Sequence, residues 1–338
     1  MEKTTTRMIV AKIKDYAPAL GLFVFYLVCI QLRQAGYVKN YWLQVLMFAL
    51  INGMVTLGLY LINGITGQFS IGQAGFISVG AYSSGAVTTL LFNFPPLSVY
   101  VKPFVFLLSI AVGGIVAGIC GYLIGRPSLR LKGDYLAIVT LAFGEILRAI
   151  IRCIPQVGGP RGFTGIPRYS TLGWIVVFFG LTVWLMRNYI HSSFGRACVS
   201  IREDELASET MGVDTTRYKV QAFVLGAMIA GVAGALLAHV LGFLHPDQFN
   251  YIRSTDFLVY LYAGGAGTMS GAIVGASLLT ILPEALRFLA GWRLVIYGIV
   301  LVLMMLYRPT GICGGKEFPF LIPHVERDAL SENGWETP

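Results

Sequence analysis

Apolar residues in this chain gather into stretches long enough to cross a membrane. Ten such segments can be marked, at 17–32, 41–62, 69–92, 102–125, 135–151, 171–187, 219–242, 255–266, 271–288 and 293–307. A hydrocarbon core is spanned by about 20 residues of helix. The pattern therefore predicts an all-α polytopic integral membrane protein with eight to ten transmembrane helices, ten being the expected count. Segment 255–266 is too short for a straight crossing. A broken or re-entrant pair is expected near 255–288, a device tolerated only where the irregular backbone is buried in protein or lines a cavity. Arg7, Lys12 and Lys14 precede the first segment and LRQAGYVKN follows it without a small-residue cleavage site, which predicts an uncleaved helix and not a signal peptide. The expected organisation is a cytoplasmic segment 1–16, a membrane domain 17–307 with a cytoplasmic loop at 188–218, and a cytoplasmic tail 308–338.

Small residues recur at i, i+4 spacing within these segments. Gly113, Ala117 and Gly121 run beside Gly114 and Gly118, and Gly226, Ala230, Gly234 and Ala238 run beside Ala227, Gly231 and Ala235. Shorter pairs are Ala81 with Gly85 and Gly271 with Gly275. Such stripes let membrane helices approach closely and predict a compact bundle. GQFSIGQAGFISVGAY (67–82) and GGAGTMSGAIVGAS (264–277) each lead through glycine and serine to a later Gly-Ala, an echo of the kind that marks related broken helices.

Composition agrees with a membrane protein: 56% of residues are hydrophobic and 12% charged, with mean hydropathy +0.70. The net charge of +8 resides mainly in residues flanking apolar spans, which points to lipid-facing topology anchors and away from nucleic acid. With ten spans and the N-terminus inside, fifteen basic residues fall on inner segments against nine on outer ones. The five cysteines form no C-x-x-C pair and predict neither a disulfide framework nor a metal site.

One loop departs from this apolar background. GRACVSIREDELASETMGVDTTRYK (195–219) carries Arg196, Arg202, Glu203, Asp204, Glu205, Glu209, Asp214, Arg217 and Lys219. Asp204 is placed to cap a helix of about two turns with an acidic first turn, and Gly212 to end it in a left-handed cap. Leu206, Ala207, Thr210 and Met211 share one face of that helix. So short a helix is marginal alone in water and is expected to rest against something; a solvated loop is the alternative.

The stretch from 195 to 238 resembles the cytoplasmic loop and following helix of the LivM family, the permease subunits of branched-chain amino acid ABC importers. TGQFSIGQAGFISVGAY (66–82), LRLKGDYLAIVTLAFGEILR (129–148) and GGAGTMSGAIVGASLLTILPE (264–284) agree with the same family, in order, over roughly 45 to 310. The resemblance implies that the 200–212 helix docks on a cytoplasmic ATPase, with Arg202, Glu203, Asp204, Glu205, Leu206, Ala207, Glu209, Met211 and Gly212 as coupling residues. Many importers write this loop E-A-A-x-x-x-G; here Leu206, Ala207, Ser208 and Gly212 hold the corresponding places and the acid is displaced to Glu205. It further implies two ATPase subunits that hydrolyse ATP with magnesium, a second related permease and a periplasmic or lipid-anchored binding protein. The implied site of action is a bacterial inner membrane and the implied substrates are leucine, isoleucine and valine, with urea or other small amides and amino acids as the alternative.

No phosphate-binding loop, H-E-x-x-H, G-x-S-x-G or paired His/Cys cluster occurs, so the chain itself is expected to bind no ATP, cofactor or metal and to be no enzyme. Ser70, Gln73 and Ser78, with Gly72, Gly75 and Gly80, are the candidate lining of a substrate path, although each also suits a packing contact. Family members often carry histidine where Gln73 stands. Glu145 lies about 16 Å into its span if the helix starts near Asp134. An intramembrane carboxylate is a functional candidate by default; Arg148 is its available partner, and an ion pair that positions the bundle is the alternative. An ion-coupled transporter using Glu145 is the rival reading. In the outer loop GGPRGFTGIP (158–167) and just beyond, Arg161 and Arg168 are candidates for meeting an acidic binding protein.

Overall fold

The computed structural model describes residues 31, 40–91, 101–129, 135–308, 310–315 and 317–318. The expected segment 17–32, apart from Gln31, lies outside the described residues, as do the N-terminal segment 1–16 and most of the tail. Each expected segment from 41 onward contains a helix. In chain order these are α1 (Asn40–Leu59), α2 (Gln73–Ala86), α3 (Lys102–Ser128), α4 (Tyr135–Cys153) and α5 (Leu172–Ile190), followed by two short helices, α6 (Ser193–Glu203) and α7 (Glu205–Thr210). Then come α8 (Thr215–Leu241), α9 (Tyr251–Gly264), α10 (Met269–Ala285) and α11 (Arg293–Tyr307). The two-residue strands β1 (Phe163–Thr164) and β2 (Phe243–Leu244) pair antiparallel, Phe163 opposite Leu244, and tie the 158–167 loop to the end of α8.

Among the described residues, five apolar stretches have the length to cross a membrane: Asn40–Ile65, Lys102–Ser128, Leu172–Ile190, Thr215–Leu241 and Met269–Leu289. α9, with 14 residues, is about 21 Å long and falls short of a full crossing. It forms an antiparallel hairpin with α10 at backbone contact: a Cβ on Gly264 would lie 1.9 Å from the Gly271 carbonyl oxygen.

α8 is the hub of the bundle. Lipid is as apolar as a leucine side chain, so association within it relies on close packing. The small-residue stripes of α8 are buried and meet three neighbours. A Cβ on Gly58 of α1 would stand 2.8 Å from the Gly226 carbonyl oxygen, and one on Gly226 2.7 Å from that of Gly58. On α2, Gly80 meets the Gly231 oxygen at 2.1 Å by the same measure, and Gly234 meets Ile77 at 2.2 Å. From α3, the Cβ of Ala117 lies 2.4 Å from the position a Gly231 Cβ would take.

His239, fully buried near the end of α8, locks the same elements with polar bonds. Its Nδ1 donates to the Pro167 carbonyl (2.8 Å), which fixes the tautomer and leaves Nε2 to accept from the Ser84 hydroxyl (3.1 Å). Large apolar side chains such as Phe104, Ile115, Leu123, Val177, Trp184, Val302 and Leu306 point outward, as a chain dissolved in lipid requires.

One expectation is corrected here. Segment 69–92 is not a continuous helix: α1 runs into a wider π turn at Tyr60–Ile65, residues 67–72 are irregular, and α2 begins only at Gln73. A hydropathy run does not reveal where α2 starts, because the break carries no charge and Phe69 and Ile71 keep its end apolar.

Placing a side chain at Gly80 forces α2 off α8. Gly80→Val is expected to destabilise the detergent-solubilised chain by about 3 kcal/mol. Gly298→Ala on α11, with nothing within 4 Å, should change stability by less than about 1 kcal/mol. Thermal unfolding followed by tryptophan fluorescence checks the pair; equal midpoints would contradict the packing.

Candidate functional site

Two features adjoin each other: the break between α1 and α2, and the charged loop. Irregular backbone inside a membrane protein needs hydrogen-bond partners, and side chains supply them here. The Ser70 N–H donates to Asn63 Oδ1 (3.3 Å), Ile71 N–H to Thr140 Oγ1 on α4 (3.1 Å) and Ala74 N–H to Ser254 Oγ on α9 (3.0 Å). Gln68 N–H returns to the Ile62 carbonyl (3.1 Å). Gly67, at φ +68°, makes the turn into the break.

The expected path residues divide here. Gly72, Gly75 and Gly80 serve close approach, a Cβ on each meeting the Thr140 oxygen at 2.8 Å, Gly144 Cα at 2.9 Å and the Gly231 oxygen at 2.1 Å. Ser78 donates to its own helix at the Gly75 carbonyl (2.7 Å). The Ser70 hydroxyl and the Gln73 amide, by contrast, are buried with no hydrogen-bond partner among the described residues. So are the Gln68 amide and Asn63 Nδ2. Asn63 and Gln68 were missed in the sequence. Their signal was there: from Asn40 to Val101 no Asp, Glu, Lys, Arg or His occurs, so amides are the strongest polar groups available.

The charged loop folds as two helices, not as the single 200–212 helix expected. The Ser192 hydroxyl caps α6 at the Gly195 N–H (3.4 Å), and Cys198 and Ile201 are buried. Asp204 is extended and caps α7 through the Ala207 N–H (3.0 Å), as its position predicts. Gly212, at φ +85°, ends the helix, with the Val213 N–H reaching back to the Ser208 carbonyl (3.1 Å). Buried Ser208 bonds Ser200 (3.2 Å), and Glu205 pairs with Lys219 at 2.6 Å, fixing α7 against α6 and α8. What remains outward is the apolar face: Leu206 is 66% and Met211 84% exposed, beside exposed Ala207 and Thr210, with Glu203 and Glu209 also exposed.

Arg202 departs from the expected outward role. Its Nη1 donates to the Gly64 carbonyl (2.8 Å), and its Cγ would meet a Cβ on Gly67 at 2.8 Å. Nε and Nη2 hold Glu203 at 3.1 and 2.7 Å. The guanidinium thus joins the charged loop to the last turn before the break. Nearby, the Tyr60 hydroxyl reaches the Gly267 carbonyl (3.5 Å), and residues 312 and 313 donate to Ala263 and Gly264 (3.0 and 3.1 Å). Glu317 caps α10 at the Met269 and Ser270 N–H groups.

At the opposite end of α8, Glu145 is engaged in structure. It pairs with Arg148 (2.7 Å) and accepts from the Tyr251 N–H (3.0 Å), satisfying the start of α9. Arg148 also holds Asp247 (3.0 Å), as does Arg152. Desolvation opposes the charge on Asp247, yet the two guanidinium groups, Arg152 foremost, outweigh it and hold the carboxyl below its usual range. Arg168 donates to the Leu241 carbonyl (3.1 Å) at the end of α8, while Arg161 is exposed.

The description of the family model matching residues 41–307 is branched-chain amino acid transport system / permease component. The chain belongs to this family. It is 32% identical over 291 residues to the high-affinity branched-chain amino acid transport system permease proteins LivM of Salmonella typhimurium and of Escherichia coli. Those matches cover 76% of this chain and 66% of each relative, so the chain spans just under two thirds of their length. The permease protein LivH of Salmonella typhimurium is 31% identical over 168 residues, 48% of this chain and 53% of its own. No solved structure matches. The fold and the family together make this an all-α, multi-pass membrane protein.

Removing the Arg202 strut should loosen the break. Arg202→Ala is expected to raise hydrogen–deuterium exchange across 60–72 at least tenfold, and Arg202→Lys to raise it less. Unchanged exchange in the alanine variant would contradict the linkage.

Proposed function

We propose that this chain is a permease subunit of an ATP-driven importer for leucine, isoleucine and valine, acting in a bacterial inner membrane. Of two ATPase subunits, which bind and hydrolyse ATP with magnesium, one docks on α7, and a second related permease completes the path. A periplasmic or lipid-anchored binding protein delivers the substrate, meeting the face that carries Arg161. The observation that carries this reading is α7 itself. A short helix, capped at both ends and braced from behind, holds Leu206 and Met211 outward, and none of the described residues covers them. Exposed apolar side chains rimmed by charge suit a soluble partner.

The relatives' names support the substrate class. Glu203, Glu205 and Glu209 place acidic charge around the docking face, while Arg202 carries movement of α6 and α7 to the break. Glu145, engaged by Arg148 and the start of α9, suits a brace better than the proton-coupling carboxylate of a secondary transporter.

Gly212 gives a clean test. Its left-handed conformation disfavours a β-branched residue by roughly 1–2 kcal/mol, yet a Cβ there meets nothing within 4 Å. Gly212→Val is expected to leave the amount of chain in the membrane unchanged and to lower ATP-driven uptake of labelled leucine at least tenfold. Undiminished uptake would count against docking through α7.

A further inference from the structure

We propose that the break ahead of α2 is a binding site for a small solute without net charge, the zwitterion of a neutral amino acid, with its carboxylate on the N-terminus of α2. The proposal rests on the importer reading and assigns a site within it. Eight buried side-chain atoms lack a hydrogen-bond partner among the described residues, and six of them belong to Asn63, Gln68, Ser70 and Gln73. These residues are 9%, 7%, 0% and 1% exposed. Buried polar groups are ordinarily satisfied, so this concentration within one short stretch marks a place for a polar occupant.

The start of α2 lies inside the bundle. Gly75 packs against Gly144, about 14 Å along α4 from Tyr135. A helix N-terminus at that depth favours an anionic group through its dipole, as in transporters built on discontinuous helices. Its Ala74 and Gly75 N–H groups are already held by Ser254 Oγ and the Gly72 carbonyl. Gln73 is the first residue of α2, and helical side chains lean toward the N-terminus, which directs its amide back to the break.

The unpartnered groups offer both polarities. Asn63 Nδ2 and the two glutamine Nε2 atoms donate, the two glutamine Oε1 atoms accept, and Ser70 Oγ does either. A carboxylate and an ammonium can both be satisfied there.

Charge selects the class. No acid, base or histidine occurs from Asn40 to Val101. On the elements packed around the break, Glu145 pairs with Arg148, Arg253 with Asp256 (3.8 Å) and Arg202 with Glu203. Glu317 is held at the start of α10. Among the described residues of these elements, each of these charges is engaged, so the side-chain charge of lysine or glutamate would meet no free counter-charge from them and its desolvation would go uncompensated. Water is the other occupant that these atoms would accept.

The test is uptake of labelled L-leucine by the intact importer in membranes, with the amount of chain and of co-purifying ATPase measured alongside. Gln73→Leu is expected to lower uptake at least tenfold and Ser70→Ala about threefold, both chains being present in normal amount, with Gln73→Asn recovering part of the loss. Uptake within twofold of the unaltered chain in both Gln73→Leu and Ser70→Ala would overturn the site and leave it a water cluster. Should Gln73→Leu fail to reach the membrane, Ser70→Ala decides alone by the same criterion. An unaltered complex that takes up no amino acid would instead overturn the importer reading itself.

Discussion

Backbone-to-backbone contact along α8 is the constraint on which the rest depends. Lipid offers no hydrophobic reward for bringing two apolar helices together, so the bundle holds by proximity. α8 achieves it against α1, α2 and α3 at once, through glycine and alanine stripes whose positions leave no room for a Cβ. Once these backbones are in contact, His239 can tie the C-terminal end of α8 to Ser84 and Pro167. The larger apolar side chains then have nowhere to face but outward.

A core held this tightly confines irregular backbone to places where partners are available. The break between α1 and α2 is such a place. Asn63, Thr140 and Ser254, from three different elements, accept the N–H groups that helix geometry would have satisfied. The second break, at 264–269, takes its partners from Glu317 and from residues 312 and 313. Both breaks lie at or lead from the end of the bundle where Arg202 joins α6 to Gly64. In our reading, a push on α7 reaches the membrane interior through that one guanidinium.

Much of this was legible in the residues. Long apolar runs require helices whatever their neighbours, so the segments from 41 onward were placed well. Local rules governed the cap at Asp204 and the stop at Gly212, which follow from side-chain chemistry and a positive φ. The i, i+4 stripes were read as contact surfaces because a glycine face has little other use in lipid. Tertiary partners were not legible. Residues 69–72 fall within the expected span 69–92 because Phe69 and Ile71 continue its apolar run, although the chain stays irregular to Gly72. α6 went unseen because its helical face is short and mixed with basic residues. Arg202 was assigned outward with its acidic neighbours, since nothing local announces a carbonyl 138 positions away. Glu145 was left between two roles until Arg148 and Tyr251 were placed beside it.

The most direct test of the central claim is a tagged purification of the chain from native membranes in mild detergent, with every co-purifying protein identified by mass spectrometry. The account predicts recovery of ATPase chains bearing a phosphate-binding loop together with a second apolar permease, and loss of the ATPases when residues 203–212 are scrambled in an otherwise folded chain. A chain that repeatedly purifies folded and alone would contradict it.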